Sequence, residues 1–521
     1  MRQETFRPET QAPGSSEVIK RQIRGSTLLL MGRLLAMAVN FAVQVMIVRY
    51  LSKTSYGAFT YALSVVSLCQ IIATFSLDKA ITRFLPIYQE ERDHKKIFGA
   101  IVIVVGTIVS ISVILIATVF LLQGFIGDSL TSEPEAVSLL LILVFLAPLQ
   151  ALDTLTLGLL AVFSRPRAIF FRAYVLAPGL RLLVVLLLIG LGSDVLFLAG
   201  GYVAAGALGV AIYTGVLFRA LKNEGVIKRF AFREIELPIR EIFALTLPLL
   251  TTNLLYVLLN SSGILMLGYF QGVAEVAEYT VVRPAAELNE LVLASFTLLY
   301  TTSAARLFAR NDREAITDLY WQTAGWVALM SFPVFVLTFA LAKPLTVTLY
   351  GARYEESATL LALLALGSYF QAALGMNGTT VMVFGKVRYI MAVSALTMVF
   401  NVGANLLLIP PYGALGAALG TTTTMVVHNI LKQISLRLAT GITLFPRRYL
   451  NVYLTIIGAT LVVTLIQRKA ASDIYSGVVL AALASLVVFR LNRRLLRMSH
   501  MFPELLQIPL ARRLLTSRKR A

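Results

Sequence analysis

Fourteen stretches of about twenty predominantly apolar residues follow one another along the chain, at about 26–48, 57–85, 98–122, 137–162, 171–191, 195–218, 242–268, 277–304, 319–342, 357–384, 389–409, 413–436, 450–467 and 474–490. A hydrocarbon core about 30 Å thick is crossed by about 20 helical residues. Inside it every backbone N–H and C=O must be satisfied within the segment, so such a chain folds as a bundle of membrane-spanning helices. Composition points the same way. Of 521 residues, 58% are hydrophobic and 14% charged, and mean hydropathy is +0.79; soluble domains carry about 25% charged residues. One cysteine, Cys69, excludes a disulfide framework and a Cys-based metal site. Three histidines (His94, His428, His500) leave little for a His-rich centre.

The net charge of +19 does not indicate nucleic acid, because Lys and Arg sit in short segments between apolar runs and no soluble region remains to hold a duplex. Residues 1–24 are polar, and the apolar run after them is too long for a signal peptide. With the N-terminus inside, 36 of the 46 Lys and Arg fall on the cytoplasmic side. Six fall in outer loops (Arg49, Lys53, Lys343, Arg353, Arg468, Lys469), and Arg33, Lys79, Arg181 and Arg283 lie within helices. The positive-inside rule then predicts two cytoplasmic termini and an even helix count; the expected location is the inner (cytoplasmic) membrane.

The chain resembles itself at an offset of about 220 residues. Arg49-Tyr50-Leu51 and Tyr56-Gly57-Ala58-Phe59-Thr60 align with Gly268-Tyr269-Phe270 and Val276-Ala277-Glu278-Tyr279-Thr280. Leu186–Ile189 aligns with Leu406–Ile409. The repeat unit is six helices, and an even unit keeps both copies in one orientation, as in two-lobed transporters with a site between lobes. The expected fold is therefore all-α and polytopic, with two six-helix lobes and two further C-terminal helices. The expected segments are a cytoplasmic lead-in at 1–24, an N-lobe at 25–218, a linker at 219–241, a C-lobe at 242–438, helices 13 and 14 at 449–490, and a basic tail at 491–521.

Ionisable residues within spans mark function by default, because each costs about 2.5–3.5 kcal/mol to insert. Helix 8 carries Arg283, Glu287 and Glu290 at i, i+4 and i+7, a spacing that predicts one face, with Pro284 as a kink site. They form either a cavity cation with carboxylates that tune it or carry a coupling proton, or a local pair that only neutralises charge. Helix 1 carries Arg33, Asn40 and Gln44 on one stripe, and its repeat mate carries Asn253 and Asn260. Arg33 lines a cavity or snorkels to the near interface. Arg181 in helix 5 has Asn401 as repeat mate, and helix 4 carries Gln150 and Asp153. An Asp153–Arg181 pair is expected to be structural; the alternative for Arg181 is cargo contact. Asp78 and Lys79 close helix 2 near its inner end. No phosphate loop ending in Gly-Lys-Ser/Thr, zincin helix or nucleophile elbow is present, so no enzyme and no cofactor are expected. Coupling to H+ or Na+ stays open.

The run KRQIRGSTLLLMGRLLAMAVNFAVQVMIVRYLSKTSYGAFTYALSVVSLCQII (20–72), followed by ATFSLDKAITRFLPIY (73–88), resembles the start of a polysaccharide or oligosaccharide flippase. FGKVRYIMAVSALTMVFNVGANLLLIPPYGALGAALGTT (384–422) resembles the same group, the multidrug/oligosaccharidyl-lipid/polysaccharide (MOP) exporter superfamily. The resemblance spans about residues 20–490. It implies alternating access and transfer of a polyprenyl-pyrophosphate oligosaccharide from the cytoplasmic to the outer leaflet, for polysaccharide biosynthesis. Cargo, membrane lipids and polysaccharide-assembly proteins are the implied partners, and Arg33 and Arg283 resemble the family's cavity cations. A pyrophosphate is a compact anion that desolvated guanidinium groups bind well. A drug or cation antiporter of the same superfamily would use Glu287 and Glu290, with Arg283 opposing it. The lipid II flippase shares the fourteen-helix plan, but its characteristic N-terminal motifs are not seen here. A membrane glycosyltransferase, polymerase or ligase would need a sizeable outer loop, and every outer loop is short.

Overall fold

The computed structural model describes residues 15–129, 133–163, 166–223, 236–470 and 473–493. The first part of the lead-in, most of the linker and nearly all of the basic tail lie outside the described residues. The described residues are helical almost throughout. The spans are α1 (Ser15–Tyr50), α2 (Lys53–Glu90), α3 (His94–Leu121), α4 (Pro134–Val162), α5 (Arg167–Leu191), α6 (Val195–Lys222) and α7 (Ile239–Gln271), followed by α8 (273–309) and α9 (Arg313–Ala340). Next come α10 (Ser357–Val383), the stretch Val387–Thr440, α13 (Arg447–Lys469) and α14 (Ile474–Asn492).

Val387–Thr440 is 54 residues long, far more than one crossing needs. It contains two spans, α11 (387–412) and α12 (414–440), because Gly413 adopts φ 54°, ψ −132°, outside the helical region. Pro410 and Pro411 precede this break and withhold two helical donors. The turn is fastened from α7 and α8: Gln271 donates to the Pro410 carbonyl at 2.8 Å, and the Glu275 carboxylate accepts from the Ala414 N–H at 2.7 Å. With this break, and with α8 as one bent span, fourteen spans correspond one to one with the fourteen apolar stretches.

Other spans are broken too. Phe75 and Ser76, both at positive φ, interrupt α2. A 3-10 turn at Leu288–Glu290 interrupts α8, which also bends by 41° between Val273–Thr297 and Leu299–Ala309. A π-helical turn at Phe171–Leu176 widens the start of α5.

Contacts divide the chain into two units. The first comprises Met1–Gln44, Ala73–Val113 and Phe145–Leu247; the second comprises Val45–Ile72, Ile114–Val144 and Pro248–Ala521. In the first unit small residues bring helices close, as lipid-embedded packing requires. Gly158 of α4 lies against Thr82 of α2, and Gly201 of α6 against Val184 of α5. Tyr88 donates to Glu241 at 2.7 Å, tying α2 to the start of α7. In the second unit α9 is the most enclosed span. Its Tyr320, Trp321 and Phe332 are fully buried, and Trp321 stacks on Tyr449 at 6.0 Å.

Candidate functional site

The second unit holds the helix 8 charges. Arg283 Nε donates to Glu287 Oε1 at 2.7 Å, while Nη1 and Nη2 donate to the Asn260 main-chain carbonyl at 2.9 Å and to its Oδ1 at 3.1 Å. Asn260 is itself anchored by donating to the Tyr256 carbonyl at 2.8 Å. A guanidinium has five N–H groups. Three are used, so its orientation is set by α7 and α8 while two stay available among the described residues. The i, i+4 part of the expected face holds. Glu290, in the 3-10 turn, stays within electrostatic reach of Glu287 and Arg283 and is also hydrogen-bonded by Gln371 of α10 and attracted by Lys432 of α12. Asn289 locks that turn, donating to the Ala286 carbonyl at 2.8 Å and to Thr338 at 3.1 Å. Asn253 is half-buried on α7, two turns before Asn260 on the same helical face.

Lys432, not among the intramembrane cations named from the sequence, is half-buried within α12, which runs to Thr440. Its stem packs at 3.6 Å from the position that a Cβ on Gly378 would take. The signal available in the sequence was polar neighbours on its own helix, His428, Asn429 and Gln433. Asn401, the repeat mate of Arg181, is a buried hub. It accepts from Ser262 at 2.6 Å, donates to Thr424 at 3.1 Å, and accepts from Asn405 at 3.3 Å, which joins α7, α11 and α12.

A second polar centre in this unit joins the end of α1 and the start of α2 to α8 and the segment before α10. Lys53 pairs with Glu278, which also accepts from Ser357. The Arg49 side chain donates to the carbonyls of Thr348 and Leu349, and Arg353 donates to the carbonyl of Val48. Lys53 and Arg353 each stand 5.3 Å from the Tyr354 ring centroid. Burial pushes the Tyr354 phenol above its ordinary range, so it stays protonated beneath those cations. Gly57 permits the closeness, since a Cβ there would overlap the Val273 carbonyl. Thr60 and Thr280, equivalent positions of the internal repeat, meet at 3.3 Å.

In the first unit Arg33 is exposed on α1 and Asn40 and Gln44 are half-buried, while Gly32 packs under Phe170 and Tyr174. Asp78 pairs with the adjacent Lys79 at 3.3 Å. The expected Asp153–Arg181 pair is not formed. Asp153 pairs with Arg172 at 2.7 Å, and Arg181 stands over the Tyr202 ring at 5.9 Å. The π turn beginning at Phe171 changes the angular register of α5. The missing side chain of Gly209 leaves room for the Arg172 guanidinium, 2.7 Å from where a Cβ would stand. Arg172, which the sequence reading did not single out, is 5% exposed.

Comparison with known proteins gives the context. A family model described as "Polysaccharide biosynthesis protein" matches residues 23–300, and the MatE model matches residues 248–407. An uncharacterized membrane protein of Methanocaldococcus jannaschii is 20% identical over 421 residues, covering 77% of this chain and 81% of its own. Among solved structures, the lipid II flippase MurJ in an inward closed conformation matches with a TM-score of 0.70 at 14% identity, over 92% of this chain and 100% of its own. An inward-facing multidrug resistance MATE family transporter of the MOP superfamily matches with a TM-score of 0.64 at 16% identity, over 79% and 98%. A MOP superfamily transporter from Pyrococcus furiosus matches at 0.53 and 17% identity, over 83% and 99%. The fold is that of these multi-pass membrane proteins, and the family model covers more than half of the sequence: the chain belongs to the polysaccharide biosynthesis protein family.

Proposed function

We propose that this protein is a flippase for a lipid-linked oligosaccharide, moving a polyprenyl-pyrophosphate sugar from the cytoplasmic to the outer leaflet. The observation that carries the reading is Arg283, a guanidinium inside a span, held by Asn260 and Glu287 with two N–H groups left to bind among the described residues. Charge-assisted bonds to a phosphate oxygen are strong where water is scarce. Glu287 lowers the local charge, so the anion can be released. Asn253 and Asn260 in the second unit are further cargo contacts, the amides serving sugar hydroxyls. The Lys53–Glu278 pair and the bonds of Arg49 to the Thr348 and Leu349 carbonyls and of Arg353 to the Val48 carbonyl act as a latch that must part for the outer side to open, with both termini cytoplasmic. Membership of a polysaccharide biosynthesis family supports the sugar cargo.

A cation antiporter fits less well, because Glu287 is paired with Arg283 and Glu290 faces Lys432. The test is mass spectrometry of lipid-linked sugars in cells lacking the protein, complemented with wild type, Arg283→Ala or Arg283→Lys. Accumulation of a polyprenyl-pyrophosphate oligosaccharide, relieved by wild type but not by Arg283→Ala at equal membrane abundance, is expected. No accumulation, with new sensitivity to cationic drugs, would replace the flippase by the antiporter. Accumulation relieved fully by Arg283→Ala would remove Arg283 from the site.

A further inference from the structure

The first unit contains a charged pocket that opens beside an apolar groove, and the two share residues. The pocket has a volume of about 80 Å³ and is lined by Gln150 and Asp153 of α4, Arg172 and Arg181 of α5, and Tyr202 of α6, among others. The groove has a volume of about 460 Å³ between α5 and α6, with Leu183, Leu187 and Phe197 on its walls and Gly200 and Ala204 on its floor. Leu180 and Ala205 line both.

The charge in the pocket is not balanced. Two guanidinium groups face one carboxylate, and Arg172 holds that carboxylate at 2.7 Å. Arg181 stands against a ring, a weaker partner than an anion, and is exposed within the span. One positive charge is left over, and it asks for one anionic group. A water occupies about 30 Å³ of liquid, so this pocket admits a few waters or one phosphate-sized group.

Depth distinguishes the kinds of anion. Arg181 lies ten residues from the end of α5 at Leu191 and fourteen from its start at Arg167, roughly 15 Å and roughly 21 Å along the helix. A resident bilayer lipid keeps its phosphate at the interface, about 15 Å from the midplane. A pocket at this depth therefore suits a lipid phosphate in passage. The groove supplies the matching surface for a hydrocarbon chain: Leu183 is 51% exposed and Leu187 45%, an apolar face that meets lipid in a membrane.

We propose that this pocket and groove form a site for an isoprenyl-phosphate lipid, with the phosphate on Arg181 and Tyr202 and the chain along the α5–α6 groove. The inference rests on the flippase reading for its biological sense, but the binding stands on its own. Arg181 is a contact for the lipid phosphate, separate from the helix 8 cation, and the Asp153–Arg172 pair holds the pocket open beside it.

The experiment uses the full chain in detergent and a diazirine-bearing isoprenyl monophosphate, with the matching uncharged isoprenol and inorganic phosphate as controls. Cross-links are mapped by peptide mass spectrometry. Labelling of residues 180–208 by the phosphate probe is expected, falling at least tenfold in Arg181→Gln and recovering in Arg181→Lys. Gly200→Phe should also suppress it, because the space beyond Gly200 is open and the ring fills the groove without a clash. Labelling unchanged in Arg181→Gln, labelling confined to other helices, isoprenol labelling as strong as that of the phosphate, or displacement by equimolar inorganic phosphate would each overturn the site. Flipping is measured separately in vesicles. Protein that binds the probe here yet moves no lipid refutes the flippase and leaves the site, whereas protein that flips cargo without labelling here refutes the site alone.

Discussion

Replacing Lys53 by Ala should loosen the packing of α2 against α8. Glu278 has a side chain 11% exposed, against 33% for Lys53, and its two carboxylate oxygens are held by Lys53 and Ser357. In Lys53→Ala this carboxylate keeps one hydroxyl donor in a poorly hydrated place. Breaking a buried pair costs about 3–5 kcal/mol and an exposed pair about 0–1 kcal/mol. With one partner a third open to its surroundings, the cost falls near 2 kcal/mol, which is roughly a 30-fold shift between packed and parted states. The readout is Thr60→Cys, in a Cys69→Ser background that removes the single native thiol. Thr60 meets Thr280 at 3.3 Å, so a thiol at position 60 is shielded while the helices are packed. Labelling by a membrane-impermeant maleimide, applied from each side in turn, should rise roughly 10- to 30-fold from one side only in Lys53→Ala. The charge swap Lys53→Glu with Glu278→Lys should bring protection back. Labelling unchanged in the single variant, or a swap that fails to restore protection, would show that the ion pair does not hold this contact.

Three further outcomes are expected. Asp153→Ala leaves the nearly buried Arg172 without its carboxylate and should lower thermal stability in detergent by about 2–4 kcal/mol, with much of the loss recovered in Asp153→Leu with Arg172→Leu; an unchanged melting temperature would deny the pair its structural role. Gly413→Ala should cost about 1–3 kcal/mol and favour proteolysis at the α11–α12 turn, since φ 54°, ψ −132° is closed to other residues and a Cβ would stand 2.7 Å from the Glu275 carboxylate. Glu275→Ala, which removes the cap on Ala414, should cost about 1 kcal/mol in the same melting assay, and Glu275→Gln should cost less.

The spans and their number were legible in the sequence because the rule behind them is local. A backbone in hydrocarbon must satisfy itself over about 20 residues, so hydropathy alone counts fourteen crossings, even where a continuous helical stretch hides a turn at Gly413. The Arg283–Glu287 pair was legible for the same reason, because i, i+4 neighbours meet wherever a helix forms. The offset of 220 likewise placed Thr60 and Thr280 in equivalent positions before any contact between them was known.

Partners across helices were not legible, because they depend on rotation and closeness that hydropathy does not encode. The π turn in α5 and the bare surface of Gly209 gave Asp153 to Arg172 and left Arg181 facing a pocket. Glu290, in the 3-10 turn of α8, gains Gln371 and Lys432 as partners from α10 and α12 beside Glu287 and Arg283 of its own span. Lys53, Arg49 and Arg353 looked like ordinary loop cations, yet they meet Glu278 and main-chain carbonyls because Gly57 lets two helices approach to backbone contact. Sequence by itself determined which segments cross the membrane, since each span closes its own hydrogen bonds. Only the tertiary structure decided which charges face one another, since that follows from breaks in helical phase and from the absence of single side chains at close approaches.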